Sequence, residues 1–226
     1  MSALDSALVA ERLARVRERV ESAGGRGSRV RIVAVTKGFG PEAVSAAAAA
    51  GIADIGENYA QEMLSKLPLA PLGLRWHFLG ELQRNKLARL APHVHLWHGL
   101  DREAEAVALA RLSQGAAVLV EVKAEDGQRR PGAMPAQVPG LVSRARAVGL
   151  SVRGLMTVGP AGVPLAEVAR HFRAVASLAS SLGLAELSMG MSADFELAVA
   201  EGATMVRIGQ ALFGPRPLSR WAPESG

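Results

Sequence analysis

The sequence predicts an α/β fold, a (β/α)8 TIM barrel with an additional N-terminal helix. Three observations carry this: short apolar runs alternate with helical patterns, eight such pairs follow one another, and the runs are apolar on both faces. Alternating elements imply parallel strands, and strands without a polar face belong to a sheet covered by helices. Eight units in roughly 200 residues match a compact closed barrel. Counting does not establish closure, and a doubly wound open sheet accommodates the same alternation.

The chain opens with MSALDSALVAERLARVRERV, charged at helical spacing, and the Gly-rich linker 22–28. VRIVAVTK is a β-branched run that reads as a buried first strand, broken by residues 38–41. PEAVSAAAAAG follows as a helix with Pro in its first turn and Gly51 as its stop. The short run IADIGE and the helix YAQEMLSKL make the second unit. LRWHFLG with QRNKLARL is the third, and HVHLWHGL with REAEAVALARL the fourth. AAVLVEVK, a Gly/Pro-rich loop and PAQVPGLVSRARAVG form the fifth. The last three are VRGLMTV with a helix over 164–183, AELSMG with SADFELAVAEG, and TMVRIG with QALFG. The whole of 1–226 reads as one domain, with 1–28 as helix and linker and 215–226 as a short tail.

Composition narrows the function classes. The 226 residues include no Cys, so thiolate nucleophiles, disulfides and Cys-ligated metals are excluded. No signal-peptide pattern opens the chain and no apolar stretch of about 18 residues occurs, so a cytoplasmic protein is expected. The net charge of +5 and the pI of about 10.4 raise a nucleic-acid reading. Against it, the arginines are scattered among helical segments beside Glu and Ala, and aromatics make up only 4%. More informative is the split: of 26 basic residues only Lys37, Lys66, Lys86 and Lys123 are lysines.

In either α/β architecture ligands gather at the C-terminal strand ends. Lys37 stands there, directly after the first strand. A desolvated lysine has a lowered pKa and supplies the neutral amine that attacks an aldehyde, although a lysine snorkelling from a strand end would look the same. TMVRIGQALFGPR places Arg207, Gly209 and Gln210 at the eighth strand-to-helix turn, where free N–H groups could bind phosphate or where an ordinary tight turn could lie. His77 could contact a ligand or be a satisfied core histidine. His93, His95 and His98 have poor spacing for an enclosed metal site, and no metal is expected. In GENYAQE, Glu57 and Glu62 can be explained by helix capping, Asn58 and Tyr59 less so.

Taken together, AVTK, IGENYAQE, WHFLGELQRNK, VRGLMTV, LSMGMSADFELAVAEGATMVRIG and ALFGPR resemble, in order and spacing, the YggS/PROSC family of pyridoxal phosphate (PLP) homeostasis proteins. The resemblance covers nearly the whole chain. It implies the barrel of the alanine racemase N-terminal domain, with PLP at its mouth as a Schiff base on Lys37. It also implies that Arg207 faces the pyridine nitrogen, leaving the ring a weaker electron sink, and that Asn58 and His77 flank the ring. The phosphate is expected near Gly209 and Gln210, with Ser188 and Arg216 assisting. Three positions depart from the pattern: Glu81 replaces a frequent Pro, Gln210 a frequent Ser or Thr, and Arg129 and Arg130 stand where a lysine is common.

Racemases of this fold use a Tyr from a second domain as the opposing acid/base, whereas Tyr59 is the one tyrosine here. The implied function is therefore PLP homeostasis: reversible binding and supply to PLP-dependent apo-enzymes, by a monomer without robust catalysis of its own. A weak PLP-dependent amino-acid racemase is the alternative. A phosphate-binding barrel or RNA binder without PLP is the third reading.

Overall fold

A computed structural model describes residues 4–24, 30–124 and 131–216. The segments of the linker, the fifth-strand loop with Arg129 and Arg130, and the tail beyond 216 lie outside the described residues.

Eight parallel strands close into a barrel in sequence order. They are β1 (Arg31–Val35), β2 (Asp54–Glu57), β3 (Arg75–Phe78), β4 (Val94–Leu100), β5 (Ala117–Val122), β6 (Ser151–Thr157), β7 (Glu186–Ser188) and β8 (Met205–Ile208). The seam is a regular parallel ladder in which Val33 of β1 stands beside Arg207 of β8. The closed barrel settles the alternative of an open sheet. The helices are α1 (Ser6–Ser22), α2 (Pro41–Ala49), α3 (Ala60–Lys66), α4 (Arg84–Leu90) and α5 (Glu103–Leu112), then α6 (Val138–Ala147), α7 (Leu165–Ser181), α8 (Phe195–Ala200) and α9 (Gln210–Phe213).

Two apolar layers hold this together. The larger lies between sheet and helices and includes Ile55, Trp97, Leu109 and Phe172. A smaller one fills the lumen with Val33, Leu96, Leu119, Met156 and Met205, as alternation along the strands requires. Beside it the lumen holds Asp54, His77, His98 and Ser188, all buried.

The eighth unit ends in the four-residue helix α9, too short to cover its part of the sheet. The N-terminal helix supplies the cover. Val9, Leu13, Val16 and Val20 recur at helical spacing and are all buried, and α1 packs on α2, α8 and α9. Arg12 donates to the Leu212 carbonyl at 3.1 Å. Arg19 makes a bidentate pair with Glu196 at 2.8 Å and stacks over Phe195. The additional helix is thus the cover over the β8–β1 seam, next to which Lys37 emerges.

Candidate functional site

β1 ends at Val35, and two residues later Lys37 enters a cavity of about 1130 Å3 at the C-terminal mouth of the barrel. The backbone on both sides of Lys37 is pinned. The Thr36 carbonyl accepts from Lys66 Nζ at 2.7 Å, and the Gly38 N–H donates to Glu62 Oε1 at 2.7 Å. Lys66 also donates to Glu57 Oε1 at 2.6 Å and to Glu62 Oε1 at 2.8 Å, and the Thr36 hydroxyl donates to Glu57. The two carboxylates read from sequence as helix caps are instead ligands of a buried lysine. The N-cap of α3 is Tyr59, without a side-chain cap bond. Burial pushes Glu57 up to about 7 against the opposing pull of Lys66, and one oxygen each of Glu57 and Glu62 has no partner among the described residues.

Lys37 lives in the opposite field. Burial lowers its pKa most, and the guanidinium groups of Arg216 and Arg207 lower it further, while Glu57 and Glu62 act against them. Among the described residues no carboxylate pairs with its amine. The arrangement favours a neutral amine, the form that adds to an aldehyde. Among the charged residues lining the cavity, Lys37, Lys86, Lys123, Arg207 and Arg216 face Glu81, Glu121 and Asp194, an excess of cations suited to an anionic ligand. None of the four lysines is exposed: Lys66 is buried and the other three line this cavity half-buried.

Arg207 is buried at the end of β8. Its Nη1 donates to the Ser188 carbonyl at 2.7 Å and to Ser188 Oγ at 2.8 Å, and its Nη2 to the Thr157 carbonyl at 2.9 Å. Burial lowers its pKa to about 10, with Glu121 and Asp194 opposing, so it remains a cation at neutral pH. Gly209 is the N-cap of α9. A Cβ there would sit 3.1 Å from the Val35 carbonyl, so a side chain would press on the strand that delivers Lys37. The Ala211 N–H donates to Ser192 Oγ at 3.2 Å, tying the loop after β7 to the first turn of α9. Asn58 lines the cavity with a buried, unpartnered Oδ1. Its backbone is clasped by Gly80, where a Cβ would lie 2.1 Å from the Asn58 carbonyl oxygen.

The structure thus brings Lys37, Asn58, Arg207, Gly209, Gln210 and Arg216 around one cavity. His77 and Ser188 are elsewhere. His77 is wholly buried in the lumen, its Nε2 2.9 Å from Asp54 Oδ1 and its Nδ1 2.9 Å from His98 Nε2. Ser188 is equally buried beneath Arg207. His77 and Ser188, expected beside a ring and a phosphate, do not line this cavity: the first faces other lumen side chains, the second Arg207 and His98. Sequence reasoning missed Lys66, which looks like any last-turn helix lysine, and Ser192, whose signal lay inside the LSMGMS motif. No group of His and acidic residues suited to a metal occurs among the described residues, and no described helix is long and apolar enough to cross a membrane.

Residues 5–217 match the family model of the alanine racemase N-terminal domain. The chain is 42% identical to the pyridoxal phosphate homeostasis protein of Deinococcus radiodurans, over 89% of this chain and 97% of that protein. It is 34% identical to the pyridoxal phosphate homeostasis protein of Escherichia coli K12, over 94% and 98% of the two chains. Among solved structures, PipY of Synechococcus elongatus PCC7942 with PLP bound superposes with a TM-score of 0.80 at 34% identity, covering 91% of this chain and all of that one. Alanine racemase of Clostridium difficile shares the fold at 14% identity and a TM-score of 0.70, matching 56% of that chain. The chain belongs to the pyridoxal phosphate homeostasis protein family, whose barrel is that of the alanine racemase N-terminal domain.

Proposed function

We propose that this protein binds PLP as a Schiff base on Lys37, holds it reversibly and supplies it to PLP-dependent apo-enzymes in the cytoplasm, as a single-barrel monomer without robust catalysis of its own. The observation that carries the reading is Lys37 itself, a half-buried amine whose basicity is lowered by burial and by two guanidinium groups in the same cavity. When bound, PLP contributes an aldehyde that an amine can capture and a ring that can accept electrons. The residues fit it. Arg216 and the Gly209–Gln210 turn offer donors for a phosphate, Arg207 offers a cation for the ring nitrogen, and the unpartnered oxygen of Asn58 offers a polar contact to the ring. Gln210 keeps an amide where a hydroxyl is frequent, so phosphate contact there falls to backbone N–H groups and that amide.

Supply rather than turnover is supported by relatives of almost equal length that are named for homeostasis. The second reading, a weak amino-acid racemase, draws on Tyr59, which lines the cavity and carries a hydroxyl that could exchange a proton.

The test is the visible absorbance of protein incubated with PLP, repeated with Lys37→Ala, followed by borohydride reduction and peptide mapping. A band in the wild type that is lost in the variant, with the modified peptide containing Lys37, supports the reading. Absence of the band in wild type ends it, and a band retained by Lys37→Ala moves the attachment to another amine. Chiral analysis of alanine incubated with loaded protein separates the two readings: turnover of about 1 s⁻¹ or more would establish the racemase.

A further inference from the structure

A continuous chain of hydrogen-bonding side chains crosses the lumen from the N-terminal end of the barrel to the cavity. It starts at Arg75, whose side chain is 45% exposed and whose Nε and Nη2 donate to the two oxygens of Asp54 at 2.8 and 2.6 Å. Asp54 Oδ1 is 2.9 Å from His77 Nε2, His77 Nδ1 is 2.9 Å from His98 Nε2, and His98 Nδ1 is 3.0 Å from Ser188 Oγ. Ser188 Oγ accepts from Arg207 Nη1 at 2.8 Å. The links come from β2, β3, β4, β7 and β8, so the chain spans the barrel rather than following one strand.

The two ends fix the direction of every bond. Asp54 is held well below the usual carboxylate range by His77 and Arg75, so it is an anion that only accepts. Arg207 only donates. Burial lowers the pKa of both imidazoles, with Asp54 opposing it at His77, and a neutral ring carries one N–H. His77 must then place its hydrogen on Nε2, leaving Nδ1 to accept from His98 Nε2–H. His98 Nδ1 in turn accepts the Ser188 hydroxyl hydrogen. With both rings neutral, one arrangement satisfies all the contacts, and in it every hydrogen points toward Asp54 while Ser188 Oγ offers only lone pairs to Arg207.

We propose that Asp54, His77, His98 and Ser188 form a positioning relay that holds the Arg207 guanidinium at the cavity, so that a carboxylate at the far end of the barrel orders the group facing the ligand. With its own hydrogen committed to His98, Ser188 can neither swing away nor compete as a donor, and Arg207 is held by three oxygens that all accept. None of the four side chains lines the cavity. Their effect on a ligand is transmitted through Arg207, and that part of the inference rests on the PLP reading above.

The first test uses the ligand-free protein. Long-range ¹H–¹⁵N correlation spectra at neutral pH are expected to show His77 and His98 as neutral Nε2–H tautomers. An Nδ1–H tautomer or a doubly protonated ring at either position overturns the relay, whatever the protein binds. The second test compares PLP binding by wild type, Ser188→Ala and Ser188→Thr. Loss of the hydroxyl is expected to weaken PLP by about tenfold and to shift the absorption maximum of the bound cofactor, with Thr restoring both. Unchanged affinity and spectrum in Ser188→Ala overturn the positioning role. If Ser188→Ala does not fold, Asp54→Asn serves instead: it is expected to mix the His77 tautomers and to weaken PLP by roughly threefold. A single unchanged tautomer with wild-type affinity in that variant refutes the relay. Failure of wild type to bind PLP would refute the function proposed above while the tautomer spectra still decide the relay.

Discussion

Two lysines near the end of β1 sit in opposite surroundings. Lys66, 2% exposed, holds two carboxylates and the Thr36 carbonyl within 2.8 Å. Lys37, one residue beyond that same carbonyl, shares its cavity with the guanidinium groups of Arg207 and Arg216. Burial alone therefore does not make an amine reactive. Partners make the difference: Lys66 is bonded to two carboxylates and a carbonyl, whereas burial first, and then the guanidinium groups of Arg216 and Arg207, move Lys37 toward the neutral form. The two are coupled mechanically, because the bonds that satisfy Lys66 and Glu62 also clamp the peptide groups flanking Lys37.

The comparison breaks most severely at Lys66→Met. Removing one partner strands Glu57 and Glu62 in the interior, and urea denaturation is expected to show a loss of about 3–5 kcal/mol. A triple variant that also carries Glu57→Gln and Glu62→Gln should recover much of it; a single variant as stable as wild type would show that the cluster does not hold the mouth together.

Next in size is a pH effect. Glu57 has its folded pKa raised from 4.5 to about 7, so between these values the folded state binds more protons than the unfolded chain and stability falls as pH rises. At about 1.4 kcal/mol per unit, the decline from Glu57 is on the order of 3 kcal/mol, complete above pH 7. Glu121 and Glu105, also raised to about 7, add declines of the same sign. Stability measured against pH should fall through this window, and Glu57→Gln should flatten it by its share. An unchanged slope in that variant would place the titration elsewhere.

Arg216→Gln probes the Lys37 side. It is expected to weaken PLP about tenfold without abolishing the visible band, since phosphate contact is lost but the amine remains, and to raise the pH at which the amine captures the aldehyde. Unchanged affinity would remove Arg216 from the site. The smallest effect belongs to a control that touches neither lysine: breaking the exposed Arg19–Glu196 pair by Glu196→Gln should cost no more than about 1 kcal/mol in thermal or urea unfolding. A larger loss would mean that α1 is held by that pair rather than by its buried valines and Leu13.

The barrel was legible because each strand and helix repeats the same local signal, and eight repeats reinforce one another. Lys37 was legible because lysine is scarce here and a strand end is a privileged place. Depth along a strand was not legible. His77 and Arg207 each stand next to last in their strands, yet the long arginine reaches the cavity while the short imidazole stays beneath Leu79, which lines the cavity two residues further on. The role of Glu57 was hidden for a related reason: Glu62 and Lys66 stand four residues apart on α3, a spacing readable in the sequence, whereas Glu57 meets Lys66 from the end of β2, which only the fold brings about.

The absence of exposed lysines leaves the exterior without a lysine side chain to condense with an aldehyde. Guanidinium groups do not condense with aldehydes as amines do, and of the four lysine side chains three open onto the cavity and one is locked in carboxylates. A reactive carbonyl compound diffusing over this Arg-rich surface meets no side-chain amine until it enters the barrel mouth. On the PLP reading proposed above, capture would be made selective by where the chain omits lysine as much as by where it places one.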